Sequence, residues 1–136
     1  MEMFKNYPQA EDYIPNNRRK CFPKSKITIM AGETTIHSFE IPFNVETDTI
    51  DCDVIYKLGL NVVLTKDITD CTFTYDEDNH KTILTCTLSS EDTMLFANTL
   101  LDAHVQIRFI MNDSSVMYTE IYPVKLIDSL DVAKEE

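Results

Sequence analysis

The chain has 136 residues, 43% of them hydrophobic, and a formal net charge of −11. That length sets one domain as the expectation, and the apolar content excludes wholesale disorder. The charge is unevenly divided: residues 1–26 carry six basic side chains against three acidic, a net of +3, and the rest carry six against 20, a net of −14. A body that acidic repels phosphate backbones, which argues against nucleic acid as its partner. No stretch approaches the ~18 apolar residues of a membrane helix, and the N-terminus lacks the apolar core of a signal peptide. The expectation is a chain kept in a cytosol, in which Cys21, Cys52, Cys71 and Cys86 are free thiols. With no CxxC and only His37, His80 and His104 scattered between, a zinc site is not expected.

Residues 1–26 hold three of the five prolines, Pro8, Pro15 and Pro23. Each fixes its own φ and pushes the preceding residue out of the helical region, so an extended N-terminal arm is predicted. Phe4, Tyr7, Tyr13, Ile14 and Phe22 make this arm too apolar for a plain linker. Spaced aromatics on an extended segment lay into pockets on another protein; the alternative is that the arm wraps its own domain and caps a sheet edge. The run Arg18-Arg19-Lys20 is short for nucleic acid and fits an acidic protein surface, or simply water.

From residue 27 the period of the apolar pattern is two. Residues 27–30 predict a short strand interrupted at Gly32, and residues 34–41 a clearer one ending at Pro42. Ile36 falls on the opposite face to Phe39 and Ile41, which predicts a bulge or twist near His37 and Ser38. Residues 52–58 and 60–65 predict a tight hairpin turning at Gly59. Residues 70–75 and 81–88, separated by Asp76-Glu77-Asp78-Asn79, predict a second hairpin. It has Cys71, Phe73 and Tyr75 on one face, and Leu84, Cys86 and Leu88 on one face of the partner strand. One short helix is predicted after Ser89, whose spacing to Asp92 is that of a capping box. Residues 103–110 alternate with Val105, Ile107 and Phe109 inward, a turn follows at Asn112-Asp113-Ser114, and residues 116–122 predict the last strand.

About seven short strands with regularly spaced turns predict an all-β fold. The expected architecture is an antiparallel two-sheet immunoglobulin-like sandwich with one short helix, a small barrel being the alternative. The expected organisation is an arm over 1–26, a sandwich over 27–127 and an acidic tail over 128–136.

Reaction chemistry is not legible. The acidic pairs Asp51/Asp53, Asp67/Asp70, Asp76/Glu77/Asp78 and Glu91/Asp92 fall in turns or on the solvent side of strands, unlike the facing carboxylates of a glycosidase. Asp76-Glu77-Asp78-Asn79 lacks the glycine and distal glutamate of a calcium loop. Cys52, Cys71 and Cys86 sit at apolar strand positions, where thiols are inert, and two glycines cannot supply a phosphate loop. No enzymatic activity, cofactor, metal or small-molecule substrate is expected.

The run Ala31-Gly32-Glu33-Thr34-Thr35-Ile36-His37-Ser38-Phe39-Glu40-Ile41-Pro42-Phe43 resembles the "G-T-T-P-T-H-T-F-x-L-P-F-D" opening of a family of small virion structural proteins from phages and prophages of gut Firmicutes. The likeness continues in order through Val54-Ile55-Tyr56, Val62-Val63-Leu64-Thr65-Lys66, Leu88-Ser89-Ser90-Glu91-Asp92-Thr93 with Leu95-Phe96, and Val105-Gln106-Ile107-Arg108. It spans roughly residues 30–126 and departs at Ile36, where the family run has proline, and in the added arm. The resemblance implies a small β-sandwich, distantly similar to the N-terminal domain of phage baseplate upper proteins. It implies a place in the virion (head, neck, tail or baseplate) and in the host cytoplasm during assembly.

The expected partners are other virion proteins and symmetric copies of the chain itself, with no membrane. Phe4, Tyr7, Tyr13, Ile14 and Phe22 would fill pockets while Arg18, Arg19 and Lys20 meet acidic surface. An adhesin-like or carbohydrate-binding module is the alternative, with Tyr56, Tyr75, Tyr118 and Tyr122 as its only aromatic platform. An intracellular anti-host regulator is a third.

Overall fold

The computed structural model describes the backbone of Phe22–Pro23 and all of residues 26–127. The predicted contacts of Phe4, Tyr7, Tyr13, Ile14, Arg18, Arg19 and Lys20, and the acidic tail, lie outside the described residues.

The strands, in chain order, are β1 (Phe22–Pro23), β2 (Thr28–Met30), β3 (Thr35–Ile41), β4 (Thr49–Leu58), β5 (Asn61–Asp67), β6 (Cys71–Asp76), β7 (Lys81–Leu88), β8 (Ala103–Met111), β9 (Val116–Tyr118) and β10 (Tyr122–Ile127). They form two sheets, ordered β1-β3-β7-β6 and β2-β10-β8-β4-β5, with β9 pairing β8 beside the second. The fold is an all-β sandwich. Inward-facing residues of both sheets make one core, including Phe39, Ile41, Leu84 and Leu88 from the smaller sheet and Val54, Tyr56, Ile107 and Phe109 from the larger. Phe43 and Phe109 meet edge-on across it at 5.2 Å.

The sheets differ from the expected layout in four ways. β2 pairs parallel with β10, Thr28 opposite Lys125, so the larger sheet is not wholly antiparallel. The predicted last strand is two: the chain leaves β8 after Tyr118 and returns to it at Tyr122, opposite Val105. Thr119 anchors the crossing, its hydroxyl accepting from the Ile107 amide and donating to the Glu120 carbonyl. There are two short helices among the described residues, not one. The missed helix, α1 (Val45–Asp48), starts at Asn44, whose side chain accepts from the Glu46 and Thr47 amides. The buried Thr82 hydroxyl holds its entry, accepting from Val45 N and donating to Phe43 O.

The fourth difference is at His37. The β3–β7 ladder runs unbroken from Thr35 opposite Leu88 to Ile41 opposite Thr82, with no bulge. Ile36 simply faces outward, 61% exposed, and His37 takes the inward position beside Phe39 and Ile41. A register shift occurs instead between Tyr56 and Lys57, just before the β4–β5 turn.

The predicted helix is α2 (Ser90–Met94), with Ser89 and Asp92 forming the reciprocal capping box. Lys66 of β5 reaches Asp92 at 2.7 Å, tying this helix to the larger sheet.

Candidate docking surfaces

Strand directions define two ends of the sandwich. At one end β2 turns into β3, β4 into β5, and β7 crosses through α2 to β8. Here Gly32 donates to the Thr93 hydroxyl, Thr93 donates between the Glu33 and Ser90 carbonyls, and Gly59 donates to the Asp102 carbonyl. Gly59, at φ +60°, takes the left-handed conformation that lets β4 reverse in two residues. Leu101 packs at the glycine's bare face, and the Met94 sulfur does the same at Gly32.

The turns are thereby fixed side by side, yet their apolar side chains are left open. Leu60 and Leu100 are 94% and 102% exposed, and Met94, Leu95 and Leu101 about half. Phe96, between them in sequence, is instead buried edge-on against Tyr56. This end is an apolar tip.

The opposite end holds α1, the β6–β7 turn and the β8–β9 turn. It presents Glu46, Asp48, Asp76, Glu77, Asp78 and Asp113. Asp76 is spent inside its own turn, accepting from the Asp78 and Asn79 backbone amides and the Asn79 side chain, and the Asn79 side-chain hydrogen bond above all holds it below the usual carboxylate range. An open concavity beside this turn, lined by Thr74, Tyr75, Asp76, Glu77, Asp78 and Ile83, offers carboxylates but no paired base. No group of three His, Cys, Asp or Glu that could hold a metal ion occurs among the described residues.

The outer face of the larger sheet is mixed. Val116, Tyr118 and Ile121 are about half exposed. Asp53, expected on the solvent side, is 8% exposed and ion-paired with Arg108 directly opposite on β8. Arg108 covers it, which is why an outward carboxylate is buried here.

The other titratable cluster is internal. His37 Nε2 donates to the Thr28 carbonyl at 2.8 Å, so Nδ1 accepts from the Tyr56 hydroxyl at 2.7 Å. Tyr56 Oη is 4.0 Å from Cys86 Sγ, and Cys86 lies opposite Cys71 on the neighbouring strand. Burial lowers the His37 pKa, against the hydrogen bond to Thr28 that raises it. Burial and the Cys86 thiol together push Tyr56 up, and donation to Cys86 with burial pushes Cys71 well above the thiol range. The bonds from His37 to Tyr56 and Thr28 tie the smaller sheet to the larger through buried side chains.

No protein-family model matches the chain, and no curated protein matches it.

Of the candidate arm residues, Phe22 alone falls among the described positions, and only by its backbone. It pairs with Glu40, and Pro23 with Phe39, so at these two residues the chain caps the edge of β3. The tyrosine platform of the adhesin reading does not assemble. Tyr56 is wholly buried, Tyr75 belongs to the smaller sheet, and Tyr118 and Tyr122 lie opposite residues of β8 that face opposite ways. The tip was not picked out from sequence, because exposed leucines in turns carry no periodic signal; Leu60, Leu100 and Leu101 beside turn residues were the available clue.

Proposed function

We propose that the chain is a non-enzymatic structural or accessory protein of a bacteriophage particle, in the head, neck, tail or baseplate. It is present in repeated copies and docks on neighbouring virion proteins through the part of its N-terminal arm that precedes Phe22. One observation carries this reading: the sandwich leaves large apolar side chains open in groups, Leu60, Leu100 and Leu101 at one end and Val116, Tyr118 and Ile121 on the larger sheet. Grouped exposure of this kind marks surfaces that another protein covers.

The family resemblance supports it. The resembling segments fall on β3, β4, β5, α2 and β8, elements that build both sheets and the connection between them. The immunoglobulin-like layout belongs to the same proposal. The orders β1-β3-β7-β6 and β2-β10-β8-β4-β5 follow A-B-E-D and A′-G-F-C-C′ when β1 and β2 share the role of first strand.

The test compares particle incorporation of the wild type with an arm variant carrying Phe4→Ser, Tyr7→Ser, Tyr13→Ser and Ile14→Ser. The wild type co-purifies with particles, and the variant falls by about tenfold or more, as expected when several anchoring side chains are lost. Equal incorporation of the two would remove the docking role of the arm.

A further inference from the structure

The geometry points to a second copy of this chain as the occupant of the apolar tip: the aromatic part of one copy's residues 1–21 seats on Leu60, Met94, Leu95, Leu100 and Leu101 of the next. This rests on the docking reading above and names the dock.

β1 runs antiparallel to β3, and Phe22 pairs with Glu40, next to the strand's last residue. β1 therefore starts on the side of the end that holds α1, whereas the tip lies at the other end, where β3 begins. A chain that enters at one end and a receptive surface at the other make a head-to-tail contact, which closes into a ring or continues as a stack.

Length is sufficient. The 21 residues before Phe22 can span up to about 70 Å when extended, against about 33 Å for the ten residues of β4.

The tip is rimmed by the exposed carboxylates Glu33, Glu91 and Asp102 against Lys57 beside the β4–β5 turn, Lys66 being already paired with Asp92. The far end is acidic as well, through Glu46, Asp48, Asp76, Glu77, Asp78 and Asp113. Two bodies stacked end to end would repel each other. Arg18-Arg19-Lys20 immediately precedes the point of entry, where the two acidic ends meet, and supplies the missing sign. Phe4, Tyr7, Tyr13 and Ile14 precede the basic run in sequence and supply side chains of the kind an apolar patch takes.

Sedimentation velocity on full-length protein tests this by complementation. The wild type grows beyond a dimer as concentration rises. The arm variant (Phe4→Ser, Tyr7→Ser, Tyr13→Ser, Ile14→Ser) and a tip variant (Leu60→Glu, Leu100→Glu) each stay monomeric, with self-association weakened by about tenfold or more. Mixed one to one, they form a heterodimer and nothing larger, because one intact arm meets one intact tip. A Leu60→Gln, Leu100→Gln variant keeps the formal charge and behaves like the glutamate variant, with an unchanged far-ultraviolet spectrum. Three results would overturn the inference: a wild type that stays monomeric up to millimolar concentration, an arm variant that associates like the wild type through tip-to-tip contact, or a mixture that remains monomeric. If the mixture fails while the arm is still needed for incorporation into particles, only the identity of the dock falls. If the copies assemble but the protein is absent from particles, the virion reading falls and the self-contact stands.

Discussion

His37 carries the largest consequence of any single residue. Its imidazole replaces an aliphatic side chain in the inner face of β3 and is buried to 4% exposure, yet both nitrogens are bonded. A buried base whose folded pKa lies below the 6.5 of the free side chain binds a proton less readily folded than unfolded. Its stabilisation is complete above pH 6.5 and is lost as pH falls below that value. The midpoint of urea unfolding should therefore drop between pH 7.5 and pH 5, and His37→Phe should flatten that slope. An equal slope in the variant would assign the acid sensitivity elsewhere. Tyr56→Phe removes the donor to His37 Nδ1 and should cost about 1–3 kcal/mol in the same assay, the penalty for a buried acceptor left unpaired. Cys52, Cys71 and Cys86 are all buried, and the raised pKa of Cys71 disfavours its thiolate. Alkylation of the three should track unfolding, with negligible labelling of the folded body over minutes.

Among the elements, α2 and the β4–β5 turn decide whether the tip is rigid. Asp92 accepts from the Ser89 amide within the capping box and also meets Lys66, so one carboxylate fixes both the helix start and its distance from β5. Asp92→Ala should lower stability by about 1 kcal/mol, read from chemical unfolding, and loosen amide protection over residues 89–96 first. This helix was legible in sequence because Ser89 and Asp92 have capping spacing just before an apolar group. The hairpins were legible because Gly59 and the Asp76–Asn79 cluster interrupt clear alternations. β10 was not, since Pro123 reads as a strand breaker; it is exposed and pairs with His104 ahead of the stretch Lys125–Ile127 that β2 covers, where a missing amide is tolerated. α1 was hidden because its four residues show no helical period and its support comes from Thr82, 37 positions from Val45 in the chain. The inward turn of His37 was hidden for the same reason: its partners Thr28 and Tyr56 come from two other strands, and hydropathy assigns a histidine to the surface. The docking surface was legible only as an arm with aromatics, because grouping Leu60 with Leu100 requires the crossing of β7 to β8.

At the scale of the whole molecule, the division between a net-positive first 26 residues and a body of net −14 becomes a division of place. The chain enters at the acidic end, caps β3 with Phe22–Pro23, and leaves its apolar tip at the other end. If copies assemble as proposed, with the basic run Arg18-Arg19-Lys20 meeting acidic ends, part of the contact is ionic, and the assembly should weaken severalfold between about 0.05 and 0.5 M salt while the apolar part persists. Salt-insensitive association would assign the contact to the tip leucines alone. The most direct measurement of the central claim is quantitative mass spectrometry of purified particles from cells that express this chain. The protein should appear in the particle fraction at many copies per virion; its absence there, with the protein recovered free in the soluble fraction, would contradict a structural role in the particle.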